Sequence, residues 1–491
     1  MNEIIGRKRE RKTLEEVYSS NLAEFIAVYG RRRVGKTYLL RNFFQEKAAA
    51  IYFQTTGIYK GTLSQQLARF MHELGETFYQ GASLKMPANW MEAFDELTRA
   101  ISRIPQGQKI ILFFDELPWM ATKKSGFIAT LEYFWNRYWV NDNRIKLIAC
   151  GSAAAWIIKK IIKNRGGLHN RVTRKINLLP FNLYETSLYL KYLGYSCSIE
   201  QITKLYMVTG GVPFYLKNIN KKHSIDVNID NLFFHPTGIF FDEFEEIFYS
   251  LFEQAEQYLE IVTLMAAHKD GVPRNFIDKK NKLTGKGGRL TQRLEDLEHA
   301  GFISSYVPFE HKKIGIIYRI SDEYCYFYLK WIAPIKNKLK QNPAAKYWKS
   351  KINTPEYFNW LGYVFENICY KHISQIKYAL SIEEESLASP WRYMPRKGSE
   401  EQGAQIDLVF DRQDSAITLC EIKYTEQPFA IDKQYAEKLK RKMLVFDKIT
   451  RTHKQLFMVM IAAAGLKKTM YSEDLISNVV KLDDLFTIRT Y

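Results

Sequence analysis

The segment GRRRVGKT (residues 30–37) follows an apolar run, EFIAVYG (24–30), and leads into a helical pattern from about Lys36 to Gln45. It satisfies G-x-x-x-x-G-K-[ST] between a strand and a helix, the context this motif requires. The glycines let backbone N–H groups close around phosphate oxygens, and the helix N-terminus adds the positive end of its dipole. Gly30, Arg31, Arg32, Arg33, Val34, Gly35, Lys36, Thr37 and the adjoining Tyr38 are therefore candidate nucleotide-binding residues. Lys36 is expected to reach the β and γ phosphates, and Thr37 to hold Mg2+.

The segments around this loop read as alternating buried strands and helices. Apolar strands are expected at 48–56, 108–116 and 144–152, with helices near 7–20, 60–80 and 88–103. Apolar strands separated by helices indicate a parallel sheet covered on both faces. Asp115 closes the strand QKIILFFDE, where a carboxylate would contact the Mg2+ of the same site. Glu116 beside it is placed to orient an attacking water. The chain has no N-K-x-D guanine signature, so ATP is the expected nucleotide.

Bulk properties narrow the setting. The 491 residues are too many for one core. Hydrophobic residues make up 46% and aromatics 14%, which excludes a disordered chain. No stretch of about 18 uncharged apolar residues occurs, so no membrane span is expected, and without an amphipathic anchor or lipid motif no membrane partner is expected either. The five cysteines are scattered and never form CxxC, which fits a reducing, cytoplasmic setting better than zinc or disulfides. The net charge of +18 suits a polyanionic partner such as DNA, and equally a lysine-rich surface serving solubility. A homo-oligomer is left open.

IIGRKRE (4–10), GRRRVGKT, FFDELPWM (113–120), LIACGS (147–152) and TGGVPFYL (209–216) together resemble ATPases of the AAA+/STAND border, of archaeal and bacterial type. These are often joined to a PD-(D/E)XK nuclease-like C-terminal domain. The resemblance implies that Ile5 and Gly6 border the adenine and that Ser152 is a polar sensor. It also implies that Arg171 stands where an arginine can act on the γ-phosphate, although the residue reads equally as an exposed arginine beside a strand. A sensor-2 arginine is not evident beside GGVP.

The expected architecture is α/β. It comprises a parallel-sheet P-loop NTPase core (1–180), a helical lid (181–240), a winged helix (245–335), a basic linker (336–355) and a restriction-endonuclease-like domain (356–491). In the winged helix, Lys279, Lys280, Lys282, Lys286, Arg289 and Arg293 crowd the third helix, with no acidic residue from 279 to 294. Such a row can neutralise DNA phosphates, or the module can serve protein contact. The linker carries six lysines, two prolines and no acid.

In the last domain Glu366 lies on an amphipathic helix, Asp407 opens QIDLVF, and Glu421 and Lys423 alternate in LCEIKY. Four such positions in order resemble the PD-(D/E)XK arrangement. There Asp407 and Glu421 would hold Mg2+, Lys423 would position or deprotonate the water, and Glu366 would approach from its helix as a further catalytic candidate. The resemblance thus implies an ATPase acting on DNA with a Mg2+-dependent nuclease domain. The alternative is a regulatory ATPase switch whose C-terminal domain binds without cleaving.

Overall fold

The computed structural model describes residues 3–122, 124–282, 287–309, 315–342, 346–395 and 402–487. The chain gathers into two compact units. Unit 1 holds residues 1–180, 212–214 and 292–301, and unit 2 holds 181–211, 215–291 and 302–491.

Unit 1 is built on a five-stranded parallel sheet. Its strands are β1 (Glu24–Tyr29), β2 (Ile51–Thr56), β3 (Ile110–Asp115), β4 (Ile145–Gly151) and β5 (Arg174–Asn177), in the order β2-β3-β4-β1-β5. Successive residues of a strand face opposite sides, and the apolar runs sort accordingly. Ile26, Val28, Ile111, Phe113 and Ile148 pack on one face with α1 (Lys8–Ser19) and α2 (Lys36–Gln45). Phe25, Phe53, Leu112, Phe114 and Leu147 pack on the other with α3 (Leu63–Phe78) and α4 (Trp90–Ser102). Each helix buries one stripe: α3, for example, buries Leu67, Phe70, Met71 and Leu74, and a Thr62–Gln65 capping box starts it. The carboxyl ends of β1, β3 and β4 fall at one edge of the sheet, where α/β folds place their ligands.

Unit 2 contains a small antiparallel sheet of β6 (Val272–Pro273), β7 (Ile303–Tyr306) and β8 (Ile317–Ile320), in the order β6-β8-β7. Helices Ala255–Ala266 and Arg274–Lys280 belong to the same unit, whereas the helix Gly288–His299 begins in it and has its residues 292–299 in unit 1. Among the described residues of 336–355, the expected basic linker, Lys336–Gln341 and Tyr347–Lys351 are helical. The reason is Trp348, which is buried against Trp331, Trp360 and Phe327. Its backbone N–H also donates to Asp230 Oδ1 at 2.6 Å. Lysine content alone hid that anchor.

The second sheet of unit 2 is mixed. It comprises β9 (Leu387–Tyr393), β10 (Ala404–Asp411), β11 (Ala416–Lys423), β13 (Gln455–Ala462) and β15 (Asn478–Val480), in the order β15-β13-β11-β10-β9. β9, β10 and β11 pair antiparallel, whereas β11, β13 and β15 run parallel. A small parallel pair, β12 (Phe429–Ala430) with β14 (Leu466–Lys467), lies outside it. The helix Lys433–Thr450 joins β12 to β13 and sends Leu439 and Phe446 into a core with Trp391, Val409, Leu419 and Met460. Among the described residues no helix is long and apolar enough to cross a membrane.

Candidate functional site

The loop after β1 takes its shape from backbone constraints. Gly30 has φ 146°, and a Cβ there would lie 2.2 Å from the Leu178 carbonyl oxygen, so only glycine fits. Arg33 (φ 72°) and Gly35 (φ 92°) are left-handed, which turns the loop into the first turn of α2. Lys36, at that turn, is buried. Its Nζ donates to Gly30 O and Arg31 O at 2.9 Å each, and to Ser152 Oγ at 3.0 Å. All three acceptors are neutral. Burial lowers the pKa of this ammonium, opposed by Cys150, Glu116 and Asp115.

Asp115, at the end of β3, accepts from Thr37 Oγ1 at 2.8 Å through Oδ2 and from the Glu116 N–H at 3.0 Å through Oδ1. Burial, then the neighbouring Glu116, raises its pKa. Glu116 sits at φ 46°, an uncommon conformation for a side-chain-bearing residue. Its carboxylate takes the Ser152 N–H at 3.1 Å and the Ser152 hydroxyl at 2.6 Å. Lys36, Thr37, Asp115, Glu116 and Ser152 thus form one hydrogen-bonded cluster at the carboxyl ends of β3 and β4.

These residues fit ATP and Mg2+. A buried ammonium resting only on neutral acceptors matches an anionic ligand. The glycine cradle presents backbone N–H groups at a helix N-terminus. A hydroxyl paired with a carboxylate supplies the hard oxygen donors that Mg2+ takes. In such a complex Lys36 would hold the phosphates, Thr37 and Asp115 would stand at the metal, and Glu116 would orient and deprotonate water.

The remaining expected residues are distributed around this cluster. Ile5 and Gly6 are half-buried, and Gly6 has φ 65°. Arg7, not singled out from the sequence, is buried and donates to Leu179 O at 2.6 Å and Val34 O at 3.2 Å. It ties the N-terminal segment to the phosphate loop, and its place in IIGRKRE was the available signal. Arg31 is buried, Arg32 is half-buried, and the Arg33 guanidinium lies 3.9 Å over the Phe214 ring. Tyr38 is exposed and its hydroxyl donates to Glu3 O at 3.1 Å. Arg171 is also exposed, just before β5, and does not join the cluster.

A second polar cluster lies at the end of β11 in unit 2. The antiparallel register pairs Leu408 with Cys420, and one step further Asp407 comes opposite Glu421. Asp407 Oδ2 accepts the Ile422 N–H at 2.9 Å, beside an irregularity in the β9–β10 pairing. Glu421 is buried, with Oε1 held by Tyr435 Oη at 2.7 Å and Lys423 Nζ at 2.9 Å. Its Oε2 is held by Lys442 Nζ at 2.5 Å. Glu366, on the helix Pro355–Lys371, pairs with Arg319 at 3.6 Å, and that guanidinium stacks 3.7 Å over Tyr370.

The charges in this cluster shape one another. Burial, then Asp407, raises Glu366 to about 8, while burial, then Glu421, raises Asp407 to about 6. Glu421 is held low despite burial, because the Lys423 and Lys442 ammoniums favour its ionised form. Asp407, Glu421 and Lys423 thus lie together at the end of the β10–β11 pair, and the Glu366 carboxyl is near enough to feel the charges of Asp407 and Lys423. The sequence reading missed Tyr435 and Lys442. Lys442 occupies the apolar stripe of its helix with Ala436, Leu439 and Phe446, a break in pattern that was readable.

This second cluster does not fit a divalent cation as it is arranged. Glu421 spends both oxygens on ammonium and phenol donors, and Asp407 spends Oδ2 on a backbone N–H. Among the described residues, no group of three or more His, Cys, Asp or Glu side chains is placed to hold a metal ion.

Residues 4–219 match the model of ATPase_2, an ATPase domain predominantly from Archaea. An uncharacterised protein of Methanocaldococcus jannaschii is 22% identical over 433 residues, covering 86% of this chain and 88% of that protein. An uncharacterised ATP-binding protein of the same organism is 46% identical over 44 residues, covering 9% of this chain and 75% of that protein. Among solved structures, a Walker-type ATPase of Pyrococcus abyssi is 18% identical with a TM-score of 0.47, covering 67% of this chain and 96% of its own. The ORC2 protein of Aeropyrum pernix, in ADPNP–ADP complexes, is 14% identical with a TM-score of 0.42, covering 70% of this chain and 97% of its own. The matched segment contains the whole Lys36–Thr37–Asp115–Glu116–Ser152 cluster, and residues 4–219 are an ATP-binding P-loop ATPase domain of the type found predominantly in Archaea.

Proposed function

We propose that this ATPase acts on DNA, and that unit 2 carries a second, phosphodiester-directed site governed by the nucleotide state of unit 1. The observation that carries the reading is the grouping of Asp407, Glu421 and Lys423 at the end of the β10–β11 pair, with the Glu366 carboxyl near enough to feel the charges of Asp407 and Lys423. Strand pairing alone does not favour two carboxylates facing each other in a buried cluster. Their order along the chain, and the mixed sheet that presents them, support the likeness to PD-(D/E)XK nucleases.

The order of helices and short strands along residues 245–335, helix, strand, helix, helix and a two-stranded antiparallel pair, supports reading them as a winged helix. Its basic row is narrower than the sequence suggested. Arg293 is buried and unavailable to DNA, and Lys286 lies outside the described residues. Lys279, Lys280, Lys282 and Arg289 are exposed. Neutralising Lys279, Lys280 and Arg289 should flatten the slope of log K against log salt by about 2–3, at roughly 0.9 per phosphate contact.

A second reading, a regulatory switch that binds DNA or protein without cutting, is favoured by the engagement of both Glu421 oxygens with protein donors. Incubating the purified protein with plasmid and linear DNA, with and without ATP and Mg2+, separates the two. Cleavage lost in Asp407→Ala supports the first reading. DNA binding without cleavage under every condition supports the second. Absence of DNA binding at low salt contradicts both DNA-directed readings.

A further inference from the structure

The helix Lys433–Thr450 brings a cation to the one carboxylate of the C-terminal cluster that is most firmly ionised. Lys442 is 7% exposed and sits among Leu439, Phe446 and the core residues around them. A buried lysine on an apolar stripe loses hydration that only a specific partner restores. That partner is Glu421 Oε2, at 2.5 Å. Lys423 and Tyr435 meanwhile hold Oε1, at 2.9 and 2.7 Å. The carboxylate is thus shared between two ammoniums from different elements, one on β11 and one on the helix that follows.

We infer that Lys442 is a resident cation that competes with divalent metal for Glu421, so that the site accepts a metal ion only when this ammonium is displaced. The inference rests on the reading of this cluster as a phosphodiester-directed site, and it deepens that reading. A hard divalent ion takes carboxylate oxygens at about 2.0–2.6 Å, so it would need the oxygen that Lys442 holds. Two like-charged groups do not share one buried carboxylate oxygen without strong repulsion. Lys423, on Oε1, stays compatible with a metal on Oε2. Lys442 is therefore a positioning residue: it fixes Glu421 in the metal-free protein and sets how tightly metal can bind.

The test is Mn2+ titration of the full-length, nucleotide-free protein, followed by electron paramagnetic resonance of free Mn2+. Asp407→Asn identifies binding at this cluster by its loss. Lys442→Met and Lys442→Gln, which remove the charge, should bind Mn2+ at the Asp407-dependent site at least about tenfold more tightly than wild type. Lys442→Arg, which keeps the charge, should bind no more tightly than wild type. Lys442→Gln retains a hydrogen-bond donor for Oε2, so a folded neutral variant is available if Lys442→Met loses structure. Neutral variants that bind Mn2+ no more tightly than wild type, or the absence of any Asp407-dependent site, overturn the inference. Tighter Mn2+ binding without DNA cleavage by any variant upholds the inference while the nuclease reading falls. Asp407-dependent cleavage with unchanged Mn2+ affinity does the reverse.

Discussion

Ser152 holds Glu116 through two hydrogen bonds, N–H to Oε2 at 3.1 Å and hydroxyl to Oε1 at 2.6 Å. The same hydroxyl accepts from Lys36 Nζ at 3.0 Å, so one side chain links the Lys36 ammonium to the Glu116 carboxylate. Pre-set orientation of a catalytic base is where one hydrogen bond matters most. Ser152→Ala should therefore lower kcat for ATP hydrolysis roughly ten- to hundredfold while leaving KM within a few-fold. Steady-state kinetics decides the point. A change confined to KM would show that Ser152 serves binding and not the carboxylate.

The loop glycines should differ in what substitution costs. At Gly30 a Cβ would meet the Leu178 carbonyl at 2.2 Å, whereas at Gly35 nothing lies within 4 Å. Gly30→Ala should destabilise unit 1 by about 1–3 kcal/mol through forced backbone movement. Gly35→Ala should cost about 1 kcal/mol, from its left-handed φ alone. Thermal melting of both variants measures the difference, and equal losses would contradict the close approach at Leu178.

His372 gives unit 2 a definite pH response. Its Nε2 accepts the Leu183 N–H at 3.1 Å and its Nδ1 donates to Ile368 O at 2.8 Å, a pattern only the neutral ring satisfies. Burial pushes its pKa down to about 4, with the Ile368 carbonyl opposing and Lys371 adding to the shift. An unfolded histidine titrates near 6.5, so between these values the native state binds fewer protons than the unfolded one. Stability from this group is complete above about 6.5 and lost as pH falls through about 4, amounting to about 2–4 kcal/mol. Urea unfolding between those pH values should show a steeper acid loss for wild type than for His372→Gln. Parallel curves would show that the ring is not the responsible group.

Local patterns made much of this molecule readable, and long-range pairings hid the rest. Gly30, Gly35, Lys36 and Thr37 lie within eight residues, and Asp115 and Glu116 end an apolar strand, so spacing alone exposed them. The insertion of β4 between β1 and β3 is a tertiary choice with no local signature. Trp348 turns a lysine-rich stretch into packed helix because Trp331 and Trp360 receive it. Arg293 lies in a basic row yet is buried, since the leucine stripe of its helix carries it inward with Leu290, Leu294 and Leu297. Lys442 reaches Glu421 across 21 residues of sequence, although its place on an apolar stripe was a usable sign.

The most direct measurement is ATP binding and turnover by wild type beside Lys36→Ala and Glu116→Gln, at saturating Mg2+. Lys36 is the buried ammonium that rests only on neutral acceptors, so its removal should abolish tight ATP binding. Glu116→Gln preserves shape and keeps an acceptor for one of the two Ser152 donors but removes the base, so it should bind ATP like wild type and turn over at least about a hundredfold more slowly. Hydrolysis by Lys36→Ala at the wild-type rate, or by Glu116→Gln at the wild-type rate, would place ATP chemistry elsewhere than in this cluster.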